Sequence, residues 1–124
     1  MYQLIAIAAG GAIGSILRFL VSNGVYRIFG KDFPYGTLSV NVLGSFLMGL
    51  LFILFVEREI VSVELRSAVL VGLLGAFTTF STFSIETITL LEDGELIKAM
   101  VNVVLSVVVC ITATWIGLNI GRQL

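Results

Sequence analysis

Histidine is absent from these 124 residues, and cysteine and proline occur once each, as Cys110 and Pro34. Without histidine, and with no acidic cluster inside any apolar stretch, a zinc or iron site lacks its usual ligands. One cysteine permits no intrachain disulfide. Charge is scarce too: charged residues make up 12% of the chain, about half the share of an ordinary soluble domain. The net charge is −1, with no basic patch suited to nucleic acid. No nucleotide-binding motif is present, and no residue is assigned a catalytic role, so neither a nucleotide-driven pump nor an enzyme is expected.

What the chain has instead is hydrophobicity, at 58% of its residues. Residues 1–17, 33–56, 67–85 and 99–121 carry no charge at all, in runs of 17, 24, 19 and 23. A helix rising about 1.5 Å per residue needs roughly 20 apolar residues to cross the hydrocarbon core. The runs show no alternation of the kind a membrane barrel requires. They predict four membrane-spanning helices over about 2–21, 36–56, 66–91 and 96–121, in one all-α domain surrounded by lipid. The N-terminal run has no preceding positive charge, unlike a cleaved signal peptide.

Orientation is nearly unbiased. One side of the bilayer receives Arg58, Arg66 and Arg122; the other receives Arg27, Lys31 and Lys98, with Arg18 as a fourth if assigned there. Cytoplasmic loops normally show a clear Lys/Arg excess. Two readings stand: weak statistics in a short chain, or insertion in both directions with pairing of inverted copies. Four helices are few for enclosing a polar pathway alone, which independently favours an oligomer.

The third run contains the segment least suited to a plain helix. From Thr78 to Ser84, five of seven residues carry hydroxyls, beside Gly72 and Gly75. Such a sequence predicts a break in the third helix, and open backbone at membrane depth survives only inside protein or along a cavity. Broken helices are where transport proteins place ion sites. Two polar ladders accompany the break. Thr37, Asn41 and Ser45 share one helix face, as do Asn102, Ser106, Cys110 and Thr114 over about 18 Å. Each alone is as consistent with interhelical hydrogen bonding; together they suggest an uncharged polar track for briefly held ions.

Phe80 and Phe83 stand three apart beside these hydroxyls. They are either packing groups or ring edges whose positive rim faces a small anion. Arg18 and Glu86 are the charges closest to the spans, with structural and functional readings both open. Gly10 with Gly14, Ser45 with Gly49, and Gly117 with Gly121 give small-residue spacings for close helix packing.

The motifs Gly10-Gly11-Ala12-Ile13-Gly14-Ser15-Ile16-Leu17-Arg18, Gly36-Thr37-Leu38-Ser39-Val40-Asn41-Val42-Leu43-Gly44-Ser45-Phe46 and Gly72 through Phe83 resemble the Fluc (CrcB-type) fluoride channels. The resemblance covers the whole chain, and the Thr-Thr-Phe-Ser-Thr-Phe run is its most specific part. It implies a passive, selective fluoride channel of the bacterial plasma membrane, an antiparallel dual-topology homodimer with two pores. By motif position, it implies that Phe80 and Phe83 face fluoride and that Asn41 is a pore-lining donor. Thr79, Ser81, Thr82, Ser106 and Cys110 belong to the implied polar lining, with Cys110 standing where a hydroxyl is expected. Arg18 and Glu86 fall at the vestibule. Gly75 and Thr78 are implied to offer backbone carbonyls to a central structural sodium ion.

A small multidrug-type proton-coupled cation exporter is the rival of similar size. It needs an acid deep in the first span, and that span has none; Glu86 is its only candidate. A non-transporting packing factor would explain the glycine pairs but not the polar track.

Overall fold

Apolar runs without internal proline have little reason to stop winding. In the computed structural model, which describes residues 1–124, α1 covers Tyr2–Phe29, α2 Tyr35–Glu57, α3 residues 63–77, α4 Phe80–Glu92 and α5 Leu96–Gln123. Helices α3 and α4 form the two halves of the third span, Val63–Glu92. Four helical stretches are therefore long and apolar enough to cross a membrane, and there is no strand.

The helix ends follow from local chemistry. α1 continues well past the expected limit near residue 21, because nothing stops it before Gly30, whose φ of 85° suits glycine. Pro34 immediately precedes α2, where its missing N–H costs nothing. The third span starts at Val63 rather than near residue 66, since the Ser62 hydroxyl accepts from Leu65 N–H at 3.2 Å and caps it. The end of α2 is wound one residue wider than an ordinary helix, Arg58 N–H reaching Ile53 C=O at 3.0 Å.

Close backbone approach joins the helices in pairs. A Cβ placed on Gly10 or Gly14 would run into the Ala68 or Leu73 carbonyl, so α1 lies directly on α3. α2 and α5 meet in the same way, Gly49 against the Thr114 carbonyl and Gly117 against that of Phe46. The glycine spacings thus serve packing, as their sequence pattern suggests. Only 21 of 124 residues are buried, with Ile53, Leu74, Val40 and Asn102 the largest fully enclosed. The remaining apolar surface faces lipid or another chain.

One expected result follows. Gly14→Val sets a side chain against rigid backbone, and its stability loss in detergent should exceed the roughly 1–3 kcal/mol of ordinary overpacking. Gly24, with nothing within 4 Å of a built Cβ, is the control: Gly24→Ala should stabilise by up to about 1 kcal/mol. Equal melting temperatures for the two variants would contradict this packing account.

Candidate ion pathway at the broken helix

The third span opens at two residues. Thr78 (φ −88°, ψ 158°) and Thr79 (φ −152°, ψ 123°) are extended, whereas Gly75–Phe77 remain helical. The break is therefore confined to the start of the hydroxyl-rich Thr78–Ser84 stretch singled out by composition. Side chains take over the lost backbone bonds. Asn41 on α2 pairs with Thr79 as a second peptide would: its Nδ2 donates to Thr79 C=O at 3.0 Å, and its Oδ1 accepts from Thr79 N–H at 2.8 Å. Thr79 Oγ1 then caps α4 by accepting from Thr82 N–H at 3.2 Å. Because these two N–H groups point elsewhere, the Gly75 and Thr78 carbonyls lose the amide partners four residues ahead that a continuous helix would supply.

Some hydroxyls of the segment do bond back to their own helix. Thr78 Oγ1 donates to Leu74 C=O at 3.0 Å, and Ser84 Oγ to Phe80 C=O at 2.9 Å. Thr79 Oγ1 instead donates to Thr82 Oγ1 at 3.1 Å and lies 3.4 Å from the exposed Ser81 Oγ. Gly44 makes room on α2, since a Cβ there would strike the Thr78 methyl group.

Beside the break lies a cavity of about 390 Å³. Its wall brings together Asn41, Thr79, Phe80, Phe83, Ser106 and Cys110, with Ser45 and Thr114 extending the polar surface. No charged side chain lines it. The Phe80 and Phe83 ring centroids are 5.3 Å apart with planes tilted by 50°. Their environments differ sharply: Phe80 is 77% exposed and Phe83 only 9%. One ring is anchored in the protein, and the other projects from it.

The two polar ladders do not stay whole. Asn102 is buried away from the cavity wall, its Nδ2 donating to Thr87 Oγ1 at 2.9 Å and so tying α5 to α4. Ser106, Cys110 and Thr114 remain on the cavity, where Thr114 Oγ1 reaches Ser45 C=O at 3.0 Å. On α2, Asn41 and Ser45 share the cavity beside the break, while Thr37 turns to a second one of about 190 Å³. Arg18, Ser22, Thr79 and Thr82 line that smaller space. Thr79 touches both cavities, so the break is the partition between them. Buried Arg18 Nε has no hydrogen-bond partner, which leaves a positive donor free in a space lined by four hydroxyl residues, Ser22, Thr37, Thr79 and Thr82. Glu86 lies one turn beyond Thr82 and faces a third cavity of about 570 Å³ at the end of the helices, with Lys31, Asp32, Asp93, Glu95 and Lys98.

Tyr26, which lines this third cavity, was not legible as a site residue. Its available signal was the four-residue spacing from Arg18 through Ser22 along α1. Gly44 belongs to the Gly36–Phe46 motif, but its place against Thr78 at the break is a tertiary contact with no trace in that motif.

Comparison with known proteins identifies the family. Residues 5–118 match the family described as CrcB-like protein, Camphor Resistance (CrcB). A protein of Methylococcus capsulatus named "Fluoride-specific ion channel FluC" is 57% identical over 122 residues, 98% of this chain and 54% of that protein. The chain thus spans about half the length of that relative. Proteins of the same name from Hydrogenovibrio crunogenus and Citrifermentans bemidjiense are 54% and 52% identical, over 98% and 100% of this chain and 92% and 100% of their own. With a family match across most of its length and relatives this similar end to end, the chain belongs to the CrcB-like family.

Proposed function

We propose that this chain is a passive fluoride channel, a multi-pass protein of the bacterial plasma membrane that lets fluoride leave the cell. The observation that carries the reading is an uncharged, hydroxyl-lined cavity beside a helix break, walled by two phenylalanine rings and held by Asn41. Weak neutral donors suit an ion that must enter and also leave. The Ser106 hydroxyl and the Cys110 thiol would replace part of the ion's water, Cys110 being the weaker donor. The Thr79 and Thr114 hydroxyls would join them by turning their single protons away from Thr82 Oγ1 and Ser45 C=O. Ring edges of Phe80 and Phe83 would present their positive rim. Ser81 and Thr82 would continue the polar lining, and Arg18 would attract the anion from the smaller cavity. A negative cell interior assists outward movement by about 2.3 kcal/mol per charge per 100 mV. No catalytic step belongs to this reading.

Two copies in antiparallel orientation, forming two pores, complete the proposal. The projecting Phe80 ring and the open, largely apolar wall around it, in which the polar groups are half-buried, favour a second subunit as the missing enclosure. The balanced Lys/Arg distribution supports dual insertion. The released Gly75 and Thr78 carbonyls are hard oxygen donors of the kind that unwound helices offer sodium, so they fit a structural sodium ion where the breaks of two copies meet.

Liposomes loaded with fluoride or chloride test the function. Fluoride should escape rapidly, and chloride at least about a hundredfold more slowly, a barrier difference of about 2.7 kcal/mol. Equal loss of both halides would refute selectivity. The cation-exporter reading predicts instead proton-coupled uptake of a cationic dye that Glu86→Gln abolishes; no such uptake is expected here.

A further inference from the structure

The smaller, Arg18-lined cavity and the end cavity are stacked one helical turn apart. On α1, Ser22 lines the inner one and Tyr26 the outer; on α4, Thr82 and Glu86 divide in the same way; Thr37 in the first turn of α2 faces the inner one, and Pro34, just before that helix, the outer. Four residues of helix correspond to about 6 Å. At this junction the three walls are joined by side chains. The Tyr26 hydroxyl donates to Glu86 Oε2 at 2.9 Å and lies 3.4 Å from Thr37 Oγ1. The other carboxylate oxygen, Glu86 Oε1, is buried without a partner. The tyrosine ring is seated on Gly36, where a Cβ would come within 2.5 Å of Tyr26 Cε2. The hydroxyl is thereby held over the carboxylate by packing as well as by hydrogen bonding.

We infer that Tyr26 is a positioning residue that secures the Glu86 carboxylate at the junction between the end cavity and the Arg18 cavity, and so sets how readily an anion passes between them. The inference rests on the fluoride-channel reading. An ionised carboxylate only accepts hydrogen bonds and repels an anion at close range. The tyrosine hydroxyl occupies one of its oxygens and limits its swing. Without that donor, both oxygens are free to turn into the passage. A neutral amide at position 86 has no charge to restrain, so the need for Tyr26 should vanish with the carboxylate.

The test is fluoride efflux from liposomes for wild type, Tyr26→Phe, Glu86→Gln and the double variant, each first checked for wild-type elution in detergent. Tyr26→Phe should slow efflux about tenfold through restored charge repulsion. The double variant should match Glu86→Gln, the coupling expected of residues acting through one contact. Rescue separates this from a merely structural role, because a packing defect from the lost hydroxyl would persist in the double variant. If Tyr26→Phe does not assemble, Thr37→Val loosens the same hydroxyl from its other side, and its slowing should likewise be lifted by Glu86→Gln. Wild-type efflux in Tyr26→Phe, or a double variant as slow as Tyr26→Phe, overturns the inference and leaves the channel reading standing. Absence of fluoride loss from wild-type liposomes overturns both.

Discussion

Asn41→Ala is expected to abolish fluoride passage and to destabilise the protein. The Asn41 amide satisfies both backbone groups of Thr79, at 2.8 and 3.0 Å, in the one place where the third span is not helical. Leaving a buried polar group unpaired costs about 1–3 kcal/mol, so two such groups put the loss at up to roughly 2–6 kcal/mol, the part-buried position of Thr79 beside two cavities favouring the lower part. The chain has one ready escape: Thr79 N–H can return to the Gly75 carbonyl, closing the break and consuming one of the two carbonyl oxygens that it releases. Either result removes the pathway. Thermal unfolding in detergent and liposome efflux measure the two effects. Asn41→Asp keeps the acceptor for Thr79 N–H and loses the donor to its carbonyl, so its stability should fall between wild type and Asn41→Ala. A variant lacking the amide that still melted and conducted normally would remove the clamp from the argument.

Phe80→Ile should separate function from folding. At 77% exposure the Phe80 side chain contributes little to the subunit's own packing, and a change of this kind typically shifts stability by no more than about 0.5 kcal/mol. The aliphatic replacement has no electropositive ring edge. Fluoride efflux should fall by about a hundredfold, corresponding to about 2.7 kcal/mol on the barrier, while the protein remains folded by elution and melting. Phe83→Ile offers the contrast. That ring is 9% exposed and belongs to the core, so its replacement should lower stability as well as flux. Retained flux in Phe80→Ile would reduce the projecting ring to a packing surface for a partner.

Much of the architecture was readable before any coordinates. Charge-free runs located the four apolar helices, and the hydroxyl-rich stretch after Gly75 located the interruption. Helix ends were less legible, because α1 stops where a particular glycine adopts positive φ rather than where hydropathy declines. For the candidate site, residue identity ran ahead of residue role. Asn41 was expected as a lining donor, and it does border the cavity, but one of its two N–H donors and one of its two acceptor positions are spent on the Thr79 backbone. Asn102 shared a helical spacing with Ser106, Cys110 and Thr114, yet it faces Thr87 and leaves the track to the other three. Spacing along a helix shows which residues share a face, but not which neighbour that face meets.

By itself, the amino-acid sequence determined an all-helical chain with four apolar spans, close glycine contacts and one weak helical segment. These are local consequences of hydropathy, backbone propensity and the absence of a Cβ. Tertiary structure decided where the weak segment opens, which amide secures it, and how three polar cavities line up on either side. It also decided that Tyr26 meets Glu86 and Thr37. Those outcomes require side chains far apart in the chain to share one hydrogen bond or one wall, and such long-range geometry has no periodic trace in sequence.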